Sequence, residues 1–467
     1  MKQISRRTLL GGAAATALAA APAKRINVVM FMTDDHGAWA TGAYGCSDIK
    51  TPNIDQLAKT GARFTRAFAC TPVCSPSRMT YMTGRIPSVH GVQDWLQPED
   101  SFGAKTKKWL DGHPTYAEIL ASNGYKLGMV GKWHMGEDDR AQKGFTYWAT
   151  IPGGGGPYKD QEFIVNGEKV RKPGFKEDAL GDFAIQFLER QKKDGPFYLL
   201  MPFYAPHTPF DYQPEEIRKQ YADSAFPCFP KTEVHPWQNR GLRNHHGKRE
   251  SFLSYSALIT AMDANVGRIV KKLEELGLRD DTLVVFTADQ GWNAGHHGVW
   301  GKGNGTWPFN MYEESLRVPL IWNHPGHVPA GITPNPMVSS YDYMPTMLDY
   351  LGIKPPPDPK RVGRSYAGFV RGQNPRWQNK LYFEYSYVRG VRTDTSKLVR
   401  RTKEWPSEFY DLESDPGEAK NLIADPAYRK RIAELGADLD KWFDKSGAPK
   451  QEDWRGTTKQ NLQEYRN

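Results

Sequence analysis

Four short apolar runs set the pattern of the chain, and each stops on a cluster of polar residues. Residues 26–33 end at Asp34-Asp35-His36, and residues 126–130 run into Gly131-Lys132-Trp133-His134. Residues 197–203 lead to Ala205-Pro206-His207, and residues 282–287 to Ala288-Asp289-Gln290-Gly291. Runs that are apolar nearly throughout, rather than alternating, predict parallel strands buried on both faces. The carboxyl ends of such strands are where open α/β sheets build their sites, so four polar endings point to one crevice.

Helical periodicity fills the intervals. Leu258, Met262, Val266, Ile269 and Leu273 recur at helical spacing across residues 254–276, and Gly277 follows as a stop. Shorter helices are predicted over residues 53–59, 116–121 and 180–191. This alternation predicts an α/β fold. Residues 208–250, rich in Pro, His and Arg, read as an irregular surface insertion. Gly153–Gly156 lacks the Lys-Ser/Thr of a phosphate loop and reads as a flexible loop. Lys354-Pro-Pro-Pro-Asp-Pro359 is stiff by composition. Beyond it, strands are expected at 381–385, 396–400 and 408–412, then a helix over 427–443, forming a small antiparallel α+β unit.

The first 23 residues change the picture. Ser5-Arg6-Arg7-Thr8 precedes an alanine-rich run and Ala21-Pro22-Ala23, the pattern of a twin-arginine (Tat) export signal. The expectation is a signal peptide over 1–23, export through the Tat machinery, and a periplasmic or extracellular address. Its loss removes Lys2, Arg6 and Arg7 and leaves a mildly basic protein, which suits anionic substrates. No interior segment is apolar and long enough to span a bilayer, so stable membrane insertion is not expected. No basic run interleaved with aromatics suggests nucleic acid. The four cysteines are Cys46, Cys70, Cys74 and Cys228, and spacing alone does not say whether any of them pair.

Candidate chemistry begins at Thr71-Pro-Val-Cys-Ser-Pro-Ser-Arg-Met-Thr-Tyr-Met-Thr-Gly-Arg85, a loop running into a helix. Pro76 suits a first helical turn, which puts Cys74 at the helix entrance, where an anion is favoured. Arg78 adds a permanent fork-shaped cation. Asp34, Asp35 and Asp289, joined by the amide oxygen of Gln290, are hard oxygen donors suited to Ca²⁺ or Mg²⁺ rather than zinc.

Cys74-Ser75-Pro76-Ser77-Arg78 with Thr83-Gly84-Arg85 resembles the modification motif of the type I sulfatases, within the alkaline-phosphatase-like superfamily. Asp34-Asp35 and Asp289-Gln290 look like that family's metal ligands, with Gln290 departing from the usual Asn or His. Gly131-Lys132-Trp133-His134-Met135-Gly136 and Ala205-Pro206-His207-Thr208-Pro209 match two further motifs, and Lys302 matches the lysine downstream of the metal pair. His296-His297-Gly298, Tyr312–Pro319 and Asp411–Leu422 complete a likeness running from Asn27 to about Leu422.

The resemblance implies a mixed, mainly parallel central sheet sandwiched by helices over residues 24–359, and a smaller C-terminal α+β subdomain over 360–467. It implies hydrolysis of sulfate monoesters by a formylglycine made from Cys74 by a formylglycine-generating enzyme, with Ca²⁺ (Mg²⁺ as the alternative) held by Asp34, Asp35, residue 74, Asp289 and Gln290. Arg78, Lys132, His134, His207 and Lys302 are the implied catalytic partners, and His297 is expected near the leaving group. Tyr312–Pro319 is read as an internal ion pair that fixes a loop.

Export favours a sulfated carbohydrate met outside the cytoplasm. Trp95, Trp292, Trp300 and Trp307 could stack on sugar rings, and His90, Asp94 and Asn293 could bond hydroxyls. The alternatives are an arylsulfatase of small esters, a phosphonate or phosphate ester hydrolase of the same superfamily, and a non-catalytic binder of sulfated glycans with Cys74 unmodified.

Overall fold

The computed structural model describes residues 25–451 except 105, 192–194 and 403. The expected signal peptide over 1–23 lies outside the described residues. Nine strands build one sheet: β1 (Asn27–Thr33), β2 (Ala62–Phe64), β3 (Lys126–Gly131), β4 (Phe145–Thr150), β5 (Glu162–Val165), β6 (Glu168–Arg171), β7 (Phe197–Pro202), β8 (Thr282–Ala288) and β9 (Leu320–Asn323). Their order is β2-β9-β8-β1-β7-β3-β4-β5-β6. The four apolar runs are β1, β3, β7 and β8, and with β4 they form the parallel centre. The outer pairs are antiparallel.

The helices that matter here are α1 (Pro52–Lys59), α2 (Cys74–Thr83), α3 (Tyr116–Ser122), α4 (Lys176–Gln191), α5 (Arg249–Glu275), α6 (Tyr343–Tyr350) and α7 (Arg429–Ser446). Successive residues of β1 face opposite sides of the sheet. Val29 and Phe31 pack in one core with Ile54, Leu180, Phe187, Leu258 and Val266 of α1, α4 and α5. Val28, Met30 and Met32 pack in the other with Met79, Met82, Leu120, Met344 and Met347 of α2, α3 and α6. The sheet is thus covered on both faces, which is why its central strands carry no alternation.

The edge strands escaped sequence reading because β2 is only three residues long and β6 is Glu-Lys-Val-Arg with no buried position. The long helix starts at Arg249, before its apolar stripe, with Ser251 and Ser254 buried in its first turns. The 208–250 segment carries only short helical pieces, Glu215–Arg218 and Arg240–Arg243 among them.

A second sheet follows, antiparallel in the order β10 (Lys380–Tyr385), β11 (Val388–Thr393), β12 (Ser396–Arg400), β13 (Glu408–Asp411), with α7 packed on it. β11 was missed because Arg389, Gly390 and Arg392 interrupt its pattern. Buried charge links this sheet to the main one. Lys397 lies fully buried between Glu313 at 3.2 Å and Glu418 at 2.6 Å, and Arg392 also reaches Glu313 at 3.2 Å. This corrects the expected internal ion pair of Tyr312–Pro319: Glu313 pairs across the sheets, while Arg317 donates to the Thr65 carbonyl at 2.8 Å.

Removing one member of a buried ion network leaves uncompensated charge and costs about 3–5 kcal/mol. Lys397→Met should therefore lower the unfolding free energy by that order, read as a lower urea midpoint. An unchanged midpoint would show that the network contributes little.

Candidate active site

Three strand ends and one helix entrance converge. β1 delivers Asp34 and Asp35, β8 delivers Asp289 and Gln290, the segment after β3 delivers Lys132 and His134, and α2 begins at Cys74. Asp35 and His134 are held at φ of 62° and 58°, left-handed conformations that turn their side chains off the strand direction. Cys74 is 2 % exposed and Asp34 fully buried. The Cys74 Sγ lies 3.6 Å from Asp34 Oδ1, 2.8 Å from Lys302 Nζ and 3.8 Å from Lys132 Nζ.

Arg78, one turn along α2, ties the strands together. Its Nε donates to Asp289 Oδ2 at 2.9 Å, another nitrogen reaches Asp34 Oδ2 at 3.4 Å, and a third donates to the Lys132 carbonyl. Lys132 pairs with Asp34 and Lys302 with Asp35, each at 2.5 Å. His207 Nε2 stands 3.7 Å from Asp35 Oδ2, and its side chain, 24 % exposed, is the most open of the group. His134 Nε2 is bound to the Leu96 carbonyl at 2.9 Å, while its buried Nδ1 has no partner.

The charges are unevenly satisfied. Burial would raise Asp34, but Lys132, His207, Lys302 and Arg78 outweigh it and hold this carboxyl well below the usual range. Burial would also raise the Cys74 thiol, as does Asp34, yet Lys132 and Lys302 hold it well below an ordinary thiol. Asp289 goes the other way: burial and the neighbouring Asp34 push it well above the usual range despite Arg78. Asp35 is likewise raised, chiefly by burial.

These acids therefore want more positive charge than the side chains supply. Gln290 partly fills the gap by donating to Asp34 Oδ1 at 3.1 Å and Asp35 Oδ1 at 2.6 Å, and its own Oε1 is left buried without a partner. Three crowded carboxylates and an unpaired amide oxygen fit a hard divalent cation.

Comparison with known proteins agrees with this arrangement. The family model described as "Sulfatase" matches residues 26–353, and that of the N-sulphoglucosamine sulphohydrolase C-terminal region matches residues 295–445. This chain belongs to the sulfatase family. It is a sulfuric ester hydrolase, in a family that works with formylglycine and a divalent metal. It is 28% identical to the N-acetylglucosamine-6-O-sulfatase of Bacteroides thetaiotaomicron over 88% of this chain and 85% of that one. It is 29% identical to the ulvan-active sulfatase of Formosa agariphila, over 89% and 80% of the two chains.

Among solved structures, one described as a complex with its substrate D-glucosamine-2-N,6-O-disulfate superposes with a TM-score of 0.79 at 26% identity, covering 91% of this chain and 98% of that one. The phosphonate monoester hydrolase of Agrobacterium radiobacter shares the fold, with a TM-score of 0.69 at 22% identity and 90% and 96% coverage.

Not every expected residue lies at this sulfatase's site. Trp292 is 2 % exposed and packed on Tyr255 and Trp300, which is itself buried, so neither ring is open to a sugar. Asn293 is fully buried, donating to the Gly301 carbonyl at 2.9 Å and to Ser315 at 2.6 Å. His90 is buried and bonded to Thr80 and to the Val92 N–H. Asp94, also buried, accepts from Tyr385 OH at 2.7 Å, and half-buried Trp95 packs against the small-sheet core. Trp307 packs on Phe309, Tyr387 and Trp405.

His297 is held by two partners of its own. Its Nε2 bonds Glu314 at 2.7 Å and its ring stacks on Tyr312 at 3.9 Å. It lines a pocket with His235, Trp237, Tyr410 and Glu418, and Cys74, Lys132 and His207 are not among that pocket's walls.

Sequence reading missed the residues behind His207. Tyr204 sits 4.9 Å from the His207 ring, and Lys176 lies over the Tyr204 ring at 3.6 Å. Glu177 accepts the Ala205 N–H at 3.0 Å. Their only sequence signal was a Lys-Glu pair opening a helix, indistinguishable from solvated charge. Gly153–Gly156, read as a flexible loop, is a packing surface: a Cβ on Gly154 would lie 2.4 Å from the His134 ring, and the residue has φ of 69°.

Gly154→Ala should therefore displace His134 and add about 1–2 kcal/mol of left-handed strain. The expected result is a fall in kcat on a sulfate ester larger than the loss of stability accounts for. Unchanged kcat would show that His134 does not depend on this contact.

A second expectation concerns pH. Burial pulls His297 down, but the bond and charge of Glu314 outweigh it and leave it raised, while Glu314 is drawn down to about 2. A raised histidine lends stability that is fully present below its unfolded value of about 6.5 and is lost as pH rises through the folded value. Urea midpoints measured from pH 5 to 9 should therefore decline across neutrality in the wild type and decline less in His297→Gln. Parallel curves would refute the assignment.

Proposed function

We propose that this sulfatase is an exported enzyme that releases sulfate from sulfated carbohydrates, using formylglycine derived from Cys74 and Ca²⁺ held by Asp34, Asp35, Asp289 and Gln290. The observation that carries this reading is the convergence of Lys132 and Lys302 on the Cys74 side chain beside Asp34. The cation, when bound, acts as a Lewis acid on the sulfate group, and the modified Cys74 side chain supplies the attacking oxygen.

The remaining work falls to side chains. Lys132 and Lys302 present ammonium groups where sulfate oxygens gain charge in the transition state, in a site closed to water. Arg78 fixes Asp34 and Asp289 relative to α2, so that the nucleophile and the carboxylates keep one geometry. His207, the most open member and beside Asp35, donates a proton to the leaving alcohol oxygen. His134, buried with Nδ1 unpaired, takes the proton whose removal lets sulfate leave and restores residue 74.

The carbohydrate substrate is supported by the names of the relatives, an N-acetylglucosamine-6-O-sulfatase and an ulvan-active sulfatase among them. Export through the Tat machinery is supported by the twin arginine at Arg6-Arg7 and the A-x-A exit. Among the described residues no helix is long and apolar enough to cross a membrane.

Cys74→Ala should abolish turnover of a sulfate ester while leaving the unfolding free energy within about 1 kcal/mol of wild type. Mass spectrometry of the peptide spanning residue 74 in active protein should show the aldehyde in place of the thiol. Wild-type rates from Cys74→Ala, or an intact thiol in fully active enzyme, would refute the reading. Parallel assays of the sulfate and phosphate esters of one alcohol should favour sulfate; a preference for phosphate would favour the phosphonate-hydrolase alternative.

A further inference from the structure

Two cysteines unrelated to the sulfate site meet across a long stretch of sequence. Cys46 follows the turn after β1, and Cys228 lies in the 208–250 segment. Their Sγ atoms and a carboxylate oxygen of Asp48 all lie within 4.8 Å of one another. Cys46 is buried and Cys228 half-buried, and both thiols are free in this structure. An open surface pocket of about 530 Å³ is walled by Gly45, Cys46, Ser47 and Lys50.

The approach is built into the fold. The Cys228 N–H donates to Asp48 Oδ2 at 3.1 Å, fixing the two loops side by side. The Lys50 N–H donates to Tyr221 OH at 3.0 Å, and Thr260 of α5 donates to the Lys50 carbonyl at 2.8 Å. On either side of Cys228, Phe226 and Phe229 are buried and in mutual ring contact at 5.6 Å, and Phe229 stacks on Phe252 at 4.5 Å. Anchors on both sides therefore hold the thiols together, and side-chain rotation is the main movement needed to reach the S–S distance of about 2.05 Å.

We propose that Cys46 and Cys228 are a redox modification site that closes to a disulfide by exchange with a small-molecule or protein disulfide. Cys228, the more exposed, loses its proton and attacks one sulfur of the exchanging disulfide, whose other sulfur leaves with the electron pair as a thiolate. Cys46, whose thiol is pushed up to about 12 by burial and by Cys228, then attacks Cys228 Sγ and expels the second thiolate. Two protein thiols are oxidised, one external disulfide is reduced to two thiols, and the protons pass to those thiols.

The bond would tie the 208–250 segment to the main sheet, closing a long loop of the unfolded chain. That segment backs the Lys302 loop: the Asn239 N–H donates to the Gly305 carbonyl at 2.8 Å, and the Gln238 side chain bonds Trp300 at 2.7 Å and 3.1 Å. The disulfide would therefore brace the site wall without touching the reacting groups. It does not depend on the proposed substrate or on export.

The test uses native purified enzyme incubated with oxidised glutathione, then denatured and titrated for thiols. With residue 74 converted, the count should fall from three to one, Cys70 alone remaining. Digestion without reductant should yield a peptide pair joining residues 46 and 228, two hydrogens lighter than its reduced parts. Cys46→Ser/Cys228→Ser should keep wild-type turnover, show no change in thiol count, and lose the protection from proteolysis within residues 208–250 that oxidation confers on wild type. Three thiols surviving oxidation, glutathione left on Cys228 as a stable mixed disulfide, or one equivalent of zinc retained by wild type and lost in the double variant would each overturn the proposal.

Discussion

The burial of Asp34 is the constraint on which the rest depends. A carboxylate with no exposed surface at the end of the central strand is tolerable only if cations surround it. Arg78, Lys132 and Lys302 do so, each arriving from a different part of the chain. The same three cations meet Asp289, Asp35 or the Cys74 sulfur. Folding the sheet and assembling the site are therefore one event: without the strand ends in register, the charges would be buried unpaired. Because the network is still short of positive charge at Asp289 and Asp35, it is also suited to a divalent cation.

The parts legible in the sequence were those whose chemistry is local. Four wholly apolar strands, their polar ends, and the cysteine at a helix entrance could be read directly, because burial on both faces removes alternation and a helix N-terminus has its own signature. The core of the site, Asp34, Cys74, Arg78, Lys132, Lys302 and His207, does come together in space. What could not be read was anything set by partners far away. Trp292 and Asn293 stand beside a metal-type motif in sequence, yet one packs on Tyr255 and the other bonds Ser315. Adjacent residues at a strand end point to opposite sides, so nearness in sequence to a site residue says little about which way a side chain faces. His297, likewise, has its partners in Glu314 and Tyr312, which its place in the sequence did not reveal.

The second sheet shows the limit from the other side. Its strands carry buried charges, Lys397, Arg389 and Glu384 among them, that interrupt the apolar pattern. Those charges are its means of attachment: Glu313 and Glu418 meet Lys397, and Arg401 donates to the Phe309 carbonyl at 2.7 Å. The same sheet also shares an apolar core with Phe68, Val73, Ile86 and Phe309 of the main unit, and the ions add orientation to that contact, since ion pairs and hydrogen bonds are directional where apolar contact is not. Tyr385 reaches from this sheet to Asp94, a further polar tie between the small unit and the segment that follows α2.

The charge pattern around Cys74 also bears on why an unaltered cysteine would serve poorly there. Lys132 and Lys302 hold the Cys74 thiol below its ordinary value, which favours its anionic form, and the sulfur, 2.8 Å from Lys302, engages the lysines proposed to receive a sulfate. A second anion would meet repulsion from the sulfur and compete for the same two ammonium groups. Exchanging the sulfur for a neutral oxygen-bearing group removes that competition and releases Lys132 and Lys302 toward the substrate. The modification proposed for Cys74 would supply a nucleophile and at the same time clear the charge balance of the pocket for an anionic ester.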